Sequence, residues 1–141
     1  MFLARLSGNN VRLSELTMQD ANAFLASNIV LAGGDNITNL LQDKNVVYWS
    51  VHVKTTNQHL GIIGITLNLK PNQIFFRFND TSDLPLVYIE ESLSLLVEYL
   101  VYKKLHGNYV TTLKPNHTNK TLMQKLGFEM VDKQSWQLIV S

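Results

Sequence analysis

The sequence predicts an α+β domain in which a mostly antiparallel sheet contains one parallel strand pair and carries flanking helices. Three β-favouring runs separated by short turns, at 47–54, 60–69 and 73–78, predict an antiparallel meander. A long amphipathic stretch then leads into another β-favouring run at 109–113. Because strand, crossover helix and strand form a βαβ unit, the strands at 73–78 and 109–113 are expected to be parallel.

The first third of the chain predicts one strand and two short helices. An alternating run predicts a strand over residues 10–16, entered from a short extended segment at 2–6. Residues 17–20 resemble a capping box and predict a short helix whose buried side includes Phe24. A Gly-Gly-Asp break then precedes a second small helix that includes Leu40.

The meander is predicted from residues that alternate between the two faces of each strand. Every second residue from Val47 to Val53 is apolar, which is the pattern of a half-buried strand. The return strand places Ile63 and Ile65 on one face and Gly64 on the other. Residues 74–78 are a dense β-favouring run, so the third strand is expected there.

The remaining elements are a long helix, a strand, a short helix and a last strand. The long helix is expected to begin between Leu84 and Leu86, to run about twenty residues and to stop at Gly107. Its apolar residues recur at helical spacing, and Glu91, Ser94 and Glu98 hold the other face. After the strand at 109–113, Thr118 or Asn119 can cap a helix that stops at Gly127, and 136–140 supplies the final strand.

Composition limits the classes of function. The 141 residues are 45% hydrophobic and 16% charged, which suits one globular domain with its own core. The chain has no cysteine, and its four histidines lack metal-ligand spacing, so neither thiol chemistry nor a metal site is expected. The net charge of +1 and the lack of a long apolar run or signal peptide predict no nucleic-acid or membrane partner and a cytoplasmic location.

Charge is distributed unevenly along the chain. Five acidic residues and no Lys or Arg lie between Phe78 and Tyr102, whereas five lysines and no acid lie between Tyr99 and Phe128. Two solvated faces of opposite sign explain this pattern on their own. The alternative is a lysine-lined anion site near residues 103–125.

Residues 116–128 read NHTNKTLMQKLGF and are similar to the N-x-x-S-x-x-x-x-x-K-x-G-F element of the GNAT superfamily of N-acetyltransferases. Every fixed position except the serine agrees, and the order of predicted elements also resembles that family. Residues 17–21, 48–51 and 61–64 are similar to the branch that acetylates protein N-termini, including ribosomal-protein alanine acetyltransferases. The resemblance implies a GNAT-like fold in which the parallel strands splay apart.

The resemblance also implies an activity, which is acetyl transfer from acetyl-CoA to an amine without a metal. In the family, the third meander strand offers main-chain groups to the pantetheine arm, the next loop and helix start bind the pyrophosphate, and an Asn at the strand end orients coenzyme or water. Asn116 is also open to a simpler interpretation, as a helix cap or turn residue. The implied cofactor-binding residues are Phe76, Phe78, Leu86, Val87, Tyr88, Asn116, Asn119 and Lys125.

Two parts of the chain depart from the family pattern. Leu84 stands where an Arg is usual, and Pro85 and Val87 stand where two glycines are usual. Pro85 has no N–H to donate, Val87 resists glycine-only conformations, and nearby acids repel a pyrophosphate. The general-acid tyrosine and an acidic position are replaced by Met123 and Gln73, so no catalytic residue is assigned.

Three functions are compatible with these patterns. The favoured one is an N-acetyltransferase that binds acetyl-CoA weakly and acetylates a protein N-terminus or a small-molecule amine. The second is a degenerate, catalytically weak or inactive GNAT-fold protein that serves as a binding or dimerisation module, with a homodimer as one option. The third is small-ligand binding at the apolar stretch 75–78.

Overall fold

The computed structural model describes residues 6–15, 45–67, 71–78, 86–113 and 116–141. The two short helices expected after Thr17 and around Leu40 lie outside the described residues, as does most of the extended segment expected at 2–6. The departing loop positions Leu84 and Pro85 also lie outside them.

The described ranges form one eight-stranded sheet with two helices. The elements are β1 (Leu6–Ser7), β2 (Val11–Glu15), β3 (Val46–Val53), β4 (His59–Thr66), β5 (Asn72–Phe78), α1 (Leu86–Tyr102), β6 (Gly107–Thr112), α2 (His117–Lys125), β7 (Glu129–Met130) and β8 (Ser135–Val140). The strand order is β1-β2-β3-β4-β5-β6-β8-β7, and β5–β6 is the parallel pair while the other neighbours are antiparallel. The mixed, mostly antiparallel sheet is therefore confirmed, and the short β7 is an addition to the predicted elements.

The core lies between the sheet and both helices. Trp49 of β3 is fully buried, and its ring meets that of Tyr99 on α1 edge to face, with centroids 5.0 Å apart. Met123 of α2 and Trp136 of β8 belong to the same apolar cluster. Both helices therefore contribute to a single core, in which burial of each large side chain supplies roughly 1.5–3 kcal/mol.

The strand β3 is more buried than its alternation predicts. Tyr48, Ser50 and His52, on the face expected to be polar and open, are all buried. A half-buried strand is therefore wrong for β3. It is an interior strand of the sheet and is covered on both faces.

The long helix ends earlier than predicted and without glycine. It ends at Tyr102, and Lys104 then adopts a left-handed conformation with φ 54°. The N–H of Leu105 donates to the carbonyl of Leu100 at 3.0 Å, which is the closing bond of a Schellman motif. The predicted stop, Gly107, begins β6 instead, because Lys104 has already satisfied the last carbonyls.

The second helix is capped by a different residue from those predicted. Asn116, and not Thr118 or Asn119, is the N-cap of α2, because its side chain accepts a hydrogen bond from the N–H of Asn119. The predicted stop at Gly127 is confirmed, with φ 94° at the left-handed position after the helix. Within the part of the chain that the structure describes, no helix is long and apolar enough to cross a membrane.

Candidate functional site

The parallel strands β5 and β6 pair at one end and then separate. Asn72 lies opposite Tyr109 and Gln73 lies opposite Val110, and the described residues contain no further β5–β6 pair. On its other edge β5 continues to pair with β4 as far as Phe78. The predicted splay is therefore confirmed, and it leaves a gap between the carboxyl ends of the two strands.

Several segments meet at the edge of the sheet where this gap opens. The second turn of α1 reaches this edge, because Glu91 accepts hydrogen bonds from Asn10 and Val11, and α2 begins shortly after β6 ends there. The turn between β1 and β2 lies at the same edge, because Val11 pairs with Val53 and Gly61 pairs with Phe78 in successive antiparallel ladders. The gap is therefore bordered by the beginnings of two helices and by a backbone turn.

The two phenylalanines predicted for the site point away from the gap. Phe78 is buried and Phe76 is half-buried against the core, and their ring centroids are 6.2 Å apart. Strand geometry leaves the main chain of β5, and not these rings, facing the separated edge of β6. Both residues therefore contribute backbone groups to the gap and side chains to the core.

The start of α1 is open at its first residues. Leu86 is 41% exposed and Val87 is 49% exposed, whereas Tyr88 is partly buried against the core. The first N–H groups of a helix have no intrahelical acceptor, and such groups can bind an anion. Asn57 and Lys104 are the described non-glycine residues with positive φ, so Val87 has ordinary helical geometry. Val87, which stands where the family has a glycine, therefore keeps a backbone conformation that its own side chain allows.

Glu91 of α1 is bound by the β1–β2 turn. Its carboxylate accepts hydrogen bonds from the backbone N–H groups of Asn10 at 2.8 Å and Val11 at 3.0 Å, and from the side-chain amide of Asn10. Partial burial acts to raise the pKa of Glu91, but these hydrogen bonds together outweigh it and the pKa is lowered. Glu91 was expected on the open face of the helix, and instead it binds the β1–β2 turn.

Lys125 forms an ion pair with the other acid of this helix turn. Its Nζ lies 2.5 Å from the carboxylate of Glu90, and the two side chains are 68% and 31% exposed. The C-terminal end of α2 therefore lies beside the second turn of α1. The charge of Lys125, an implied coenzyme residue, is compensated by a residue of the same chain, and its contact with a coenzyme remains a prediction.

The five lysines do not form one anion site. α1 extends about 25 Å, with Lys103 and Lys104 just beyond its C-terminal end, whereas Lys125 lies beside its second turn. Lys120 is exposed on α2, and Lys114 lies outside the described residues. A single lysine-lined site is therefore wrong for the described lysines, and solvated charge explains most of them.

Asn116 and Asn119 lie together at the start of α2. The side-chain oxygen of Asn116 accepts the hydrogen bond from the N–H of Asn119 at 2.8 Å. Asn116 is exposed and Asn119 is half-buried. The capping interpretation of Asn116 is thus confirmed, and a contact with a coenzyme remains a prediction for both residues.

Similar arrangements of strands and helices occur in solved structures, although no protein-family model and no curated protein matches this chain. An acetyltransferase from Agrobacterium tumefaciens str. C58 is 12% identical, with a TM-score of 0.70 over 97% of this chain and 94% of that one. A GNAT-family acetyltransferase from Bacillus anthracis is 14% identical, with a TM-score of 0.69 over 96% and 98%. The chain has the GNAT fold. A ribosomal-protein-S5-alanine acetyltransferase from Vibrio fischeri is 9% identical, with a TM-score of 0.70 over 98% and 97%.

Within this GNAT fold, the described residues offer no clear proton-transfer group at the gap. Met123 is fully buried in the core, and the side-chain amide of the exposed Gln73 cannot transfer a proton at neutral pH. His52 is buried on β3 beside His59, with ring centroids 5.1 Å apart, and His117 is exposed on α2. No three His, Asp or Glu side chains come together as metal ligands would in the described ranges.

Two contacts of this GNAT-type edge were missed by sequence reasoning. The bond from Val11 to Glu91 joins residues 80 positions apart, so no local pattern signals it. The pairing of Glu90 with Lys125 had a weak signal, since an acid-rich helix precedes a lysine-rich one. Opposite charge alone does not tell which lysine meets which acid.

Proposed function

We propose that this protein is a GNAT-type N-acetyltransferase that transfers an acetyl group from acetyl-CoA to an amine. The observation that supports this most directly is the β5–β6 pair, whose ladder covers Asn72 and Gln73 before the strands separate. The gap opens at the edge where α1 and α2 begin. The likeness of the whole chain to solved acetyltransferases agrees with this reading of the gap.

The pantetheine part of the coenzyme fits the gap well. It is an extended arm with amide groups, and β5 pairs with β4 on one edge while its other edge is open beyond Gln73 in the described chain. Amides of an extended ligand can pair with such an edge as an added strand would. Phe76 and Phe78 hold this edge in place through the core.

The pyrophosphate part fits less well. The exposed Leu86 and Val87 can present helix N–H groups to a phosphate, and Asn116, Asn119 and Lys125 lie near the same edge. Pro85 has no N–H to donate, and Leu84 cannot replace a guanidinium. We therefore propose weak binding of acetyl-CoA, with much of the affinity from the pantetheine arm.

The chemistry requires the amine to attack the thioester carbonyl, so that a C–N bond forms, the C–S bond breaks and the coenzyme leaves as its thiol. The chain contributes by holding the thioester in the gap, where orientation alone lowers the barrier substantially. No described residue is assigned as general base or acid. The Vibrio fischeri protein is a ribosomal-protein-S5-alanine acetyltransferase, so a peptide with an N-terminal alanine is a suitable first acceptor.

Isothermal titration with acetyl-CoA and CoA tests the proposed site. Leu86→Glu places a negative charge at the start of α1, where it should repel the phosphates and weaken coenzyme binding by about threefold or more. The helix dipole favours an acid at this position, so the variant should fold. Val101→Glu is the matched control, because Val101 is also an exposed apolar residue of α1 but lies at the opposite end. Equal binding by the wild type and both variants would reject the site.

A further inference from the structure

The ion pair between Glu90 and Lys125 lies on the same ridge of α1 as Leu86. Residues four apart on a helix are neighbours on one face, so Glu90 stands one turn above the exposed Leu86. The Lys125 Nζ is 2.5 Å from the Glu90 carboxylate. The positive charge of Lys125 is therefore compensated inside the chain, within one turn of the proposed phosphate position.

The Glu90–Lys125 pair lies close enough to Leu86 to affect the binding of any phosphate at the beginning of α1. Four residues correspond to about 6 Å along the helix axis. In a water-like medium a single positive charge at that distance attracts a phosphate enough to tighten binding roughly threefold, and more where water is partly excluded. The other acid of this turn, Glu91, is already engaged by Asn10 and Val11. Glu90 is thus the described acid that cancels the attraction of Lys125 for an incoming phosphate.

We infer that Glu90 determines which part of the acyl donor this site recognises. By holding Lys125 as an internal partner, Glu90 cancels the attraction of Lys125 for a phosphate, so the site binds the acyl-pantetheine arm and gains little from the nucleotide phosphates. The donor class is therefore acyl thioesters of pantetheine, with the phosphate-bearing end of secondary importance. This inference rests on the proposed function, because it assumes that the acyl donor enters the gap between β5 and β6.

Titration of two ligands against matched variants tests the inference. The ligands are acetyl-CoA and S-acetylpantetheine, which share the acyl-pantetheine arm. In the wild type their dissociation constants should lie within about tenfold of each other. Glu90→Gln should tighten acetyl-CoA binding about three- to tenfold and leave S-acetylpantetheine unchanged.

The controls separate a local effect from a general effect of charge. Glu98→Gln removes the same charge from an exposed position of α1 about two turns further along, and it should leave both ligands unchanged. The double variant Glu90→Gln with Lys125→Gln restores the net charge of the pair, and acetyl-CoA affinity should return toward the wild-type value. Thermal melting of each variant confirms that it is folded.

Three results would overturn the inference. Equal effects of Glu90→Gln and Glu98→Gln, or tighter binding of both ligands by Glu90→Gln, would show that Glu90 does not select between them. A wild-type preference for acetyl-CoA above about a hundredfold would show that the phosphates dominate. In each of these cases the proposed function stands if acetyl-CoA binds. Failure of both ligands to bind any variant would reject the proposed function and the inference together.

Discussion

The Glu91 carboxylate binds Asn10 twice, accepting hydrogen bonds from its backbone N–H at 2.8 Å and from its side-chain amide at 2.9 Å. A third bond, from the N–H of Val11, completes the contact. The contact leaves no room at Gly8, where an added Cβ would lie 1.9 Å from the same carboxylate. Because α1 and the β1–β2 turn are joined here, the beginning of α1 is fixed relative to the sheet.

Glu91→Gln should therefore destabilise the fold. The amide keeps one acceptor oxygen but loses the charge that strengthens the bonds to backbone N–H groups, so we expect a loss of about 1–3 kcal/mol in the free energy of unfolding. Urea denaturation measures it. Glu98→Gln, at an exposed position of the same helix, should cost less than about 0.5 kcal/mol, and a similar cost for both variants would contradict the structural role.

The same contact predicts a pH dependence. The folded-state pKa of Glu91 is lowered from its ordinary value of 4.5, so the ionised form stabilises the fold above that value. This stabilisation should be lost as the pH falls through the folded-state pKa. The stability difference between wild type and Glu91→Gln should thus be constant near neutral pH and shrink in acid. A stability difference that grows as the pH falls would contradict a lowered pKa of Glu91.

Gly8→Ala should act through Glu91. The new methyl group would displace the carboxylate, so the substitution should cost about as much stability as losing the contact itself. In the double variant Gly8→Ala with Glu91→Ala, the two losses in the free energy of unfolding should not add. Glu91→Ala removes the carboxylate that Gly8→Ala displaces. Full additivity in a double-mutant cycle would show that the clash is relieved without breaking the contact.

Lys104→Gly should stabilise the protein by about 0.5–1 kcal/mol. Lys104 has φ 54°, a left-handed conformation that costs a residue with a Cβ about 1 kcal/mol and glycine almost nothing. Thermal melting measures the gain. Lys103→Gly is the control, since Lys103 continues the helical bonding by donating to Tyr99 at 2.9 Å and should not gain.

Asn116→Ala should cost about 1 kcal/mol, because it removes the side chain that caps α2. Asn116→Ser keeps a capping oxygen and should retain most of this stability. The serine variant therefore separates capping from ligand binding. Weaker binding of acetyl-CoA by stable Asn116→Ser would support the coenzyme contact implied for Asn116, and unchanged binding would leave Asn116 as a cap alone.

Sequence reasoning succeeded where a local pattern determines the structure. The parallel β5–β6 pair follows from a strand, a helix and a strand in sequence, because the crossover has one favoured geometry. The stop at Gly127 follows from the freedom of glycine at positive φ. Both depend on neighbours along the chain.

Sequence reasoning failed where several residues can fill the same structural role, or where two interacting residues are distant in the sequence. Asn116, Thr118 and Asn119 can all cap a helix, and the backbone conformation that selects Asn116 is not visible in the sequence. Lys104 takes a left-handed conformation that its side chain does not favour, because the packing of Leu105 on the core requires the turn there. The partners of Glu90 and Glu91 are set by tertiary packing and not by spacing.

The most direct test is the release of coenzyme thiol from acetyl-CoA in the presence of an amine, with the acetylated amine identified by mass spectrometry. Loss of charge-assisted hydrogen bonds worth about 1.5–3 kcal/mol each should place saturation at high micromolar acetyl-CoA or above. Release should depend on the amine, require more acetyl-CoA for saturation in Leu86→Glu and be unchanged in Val101→Glu. Absence of acetylated product with every peptide and small amine, at saturating acetyl-CoA, would contradict the proposed acetyl transfer.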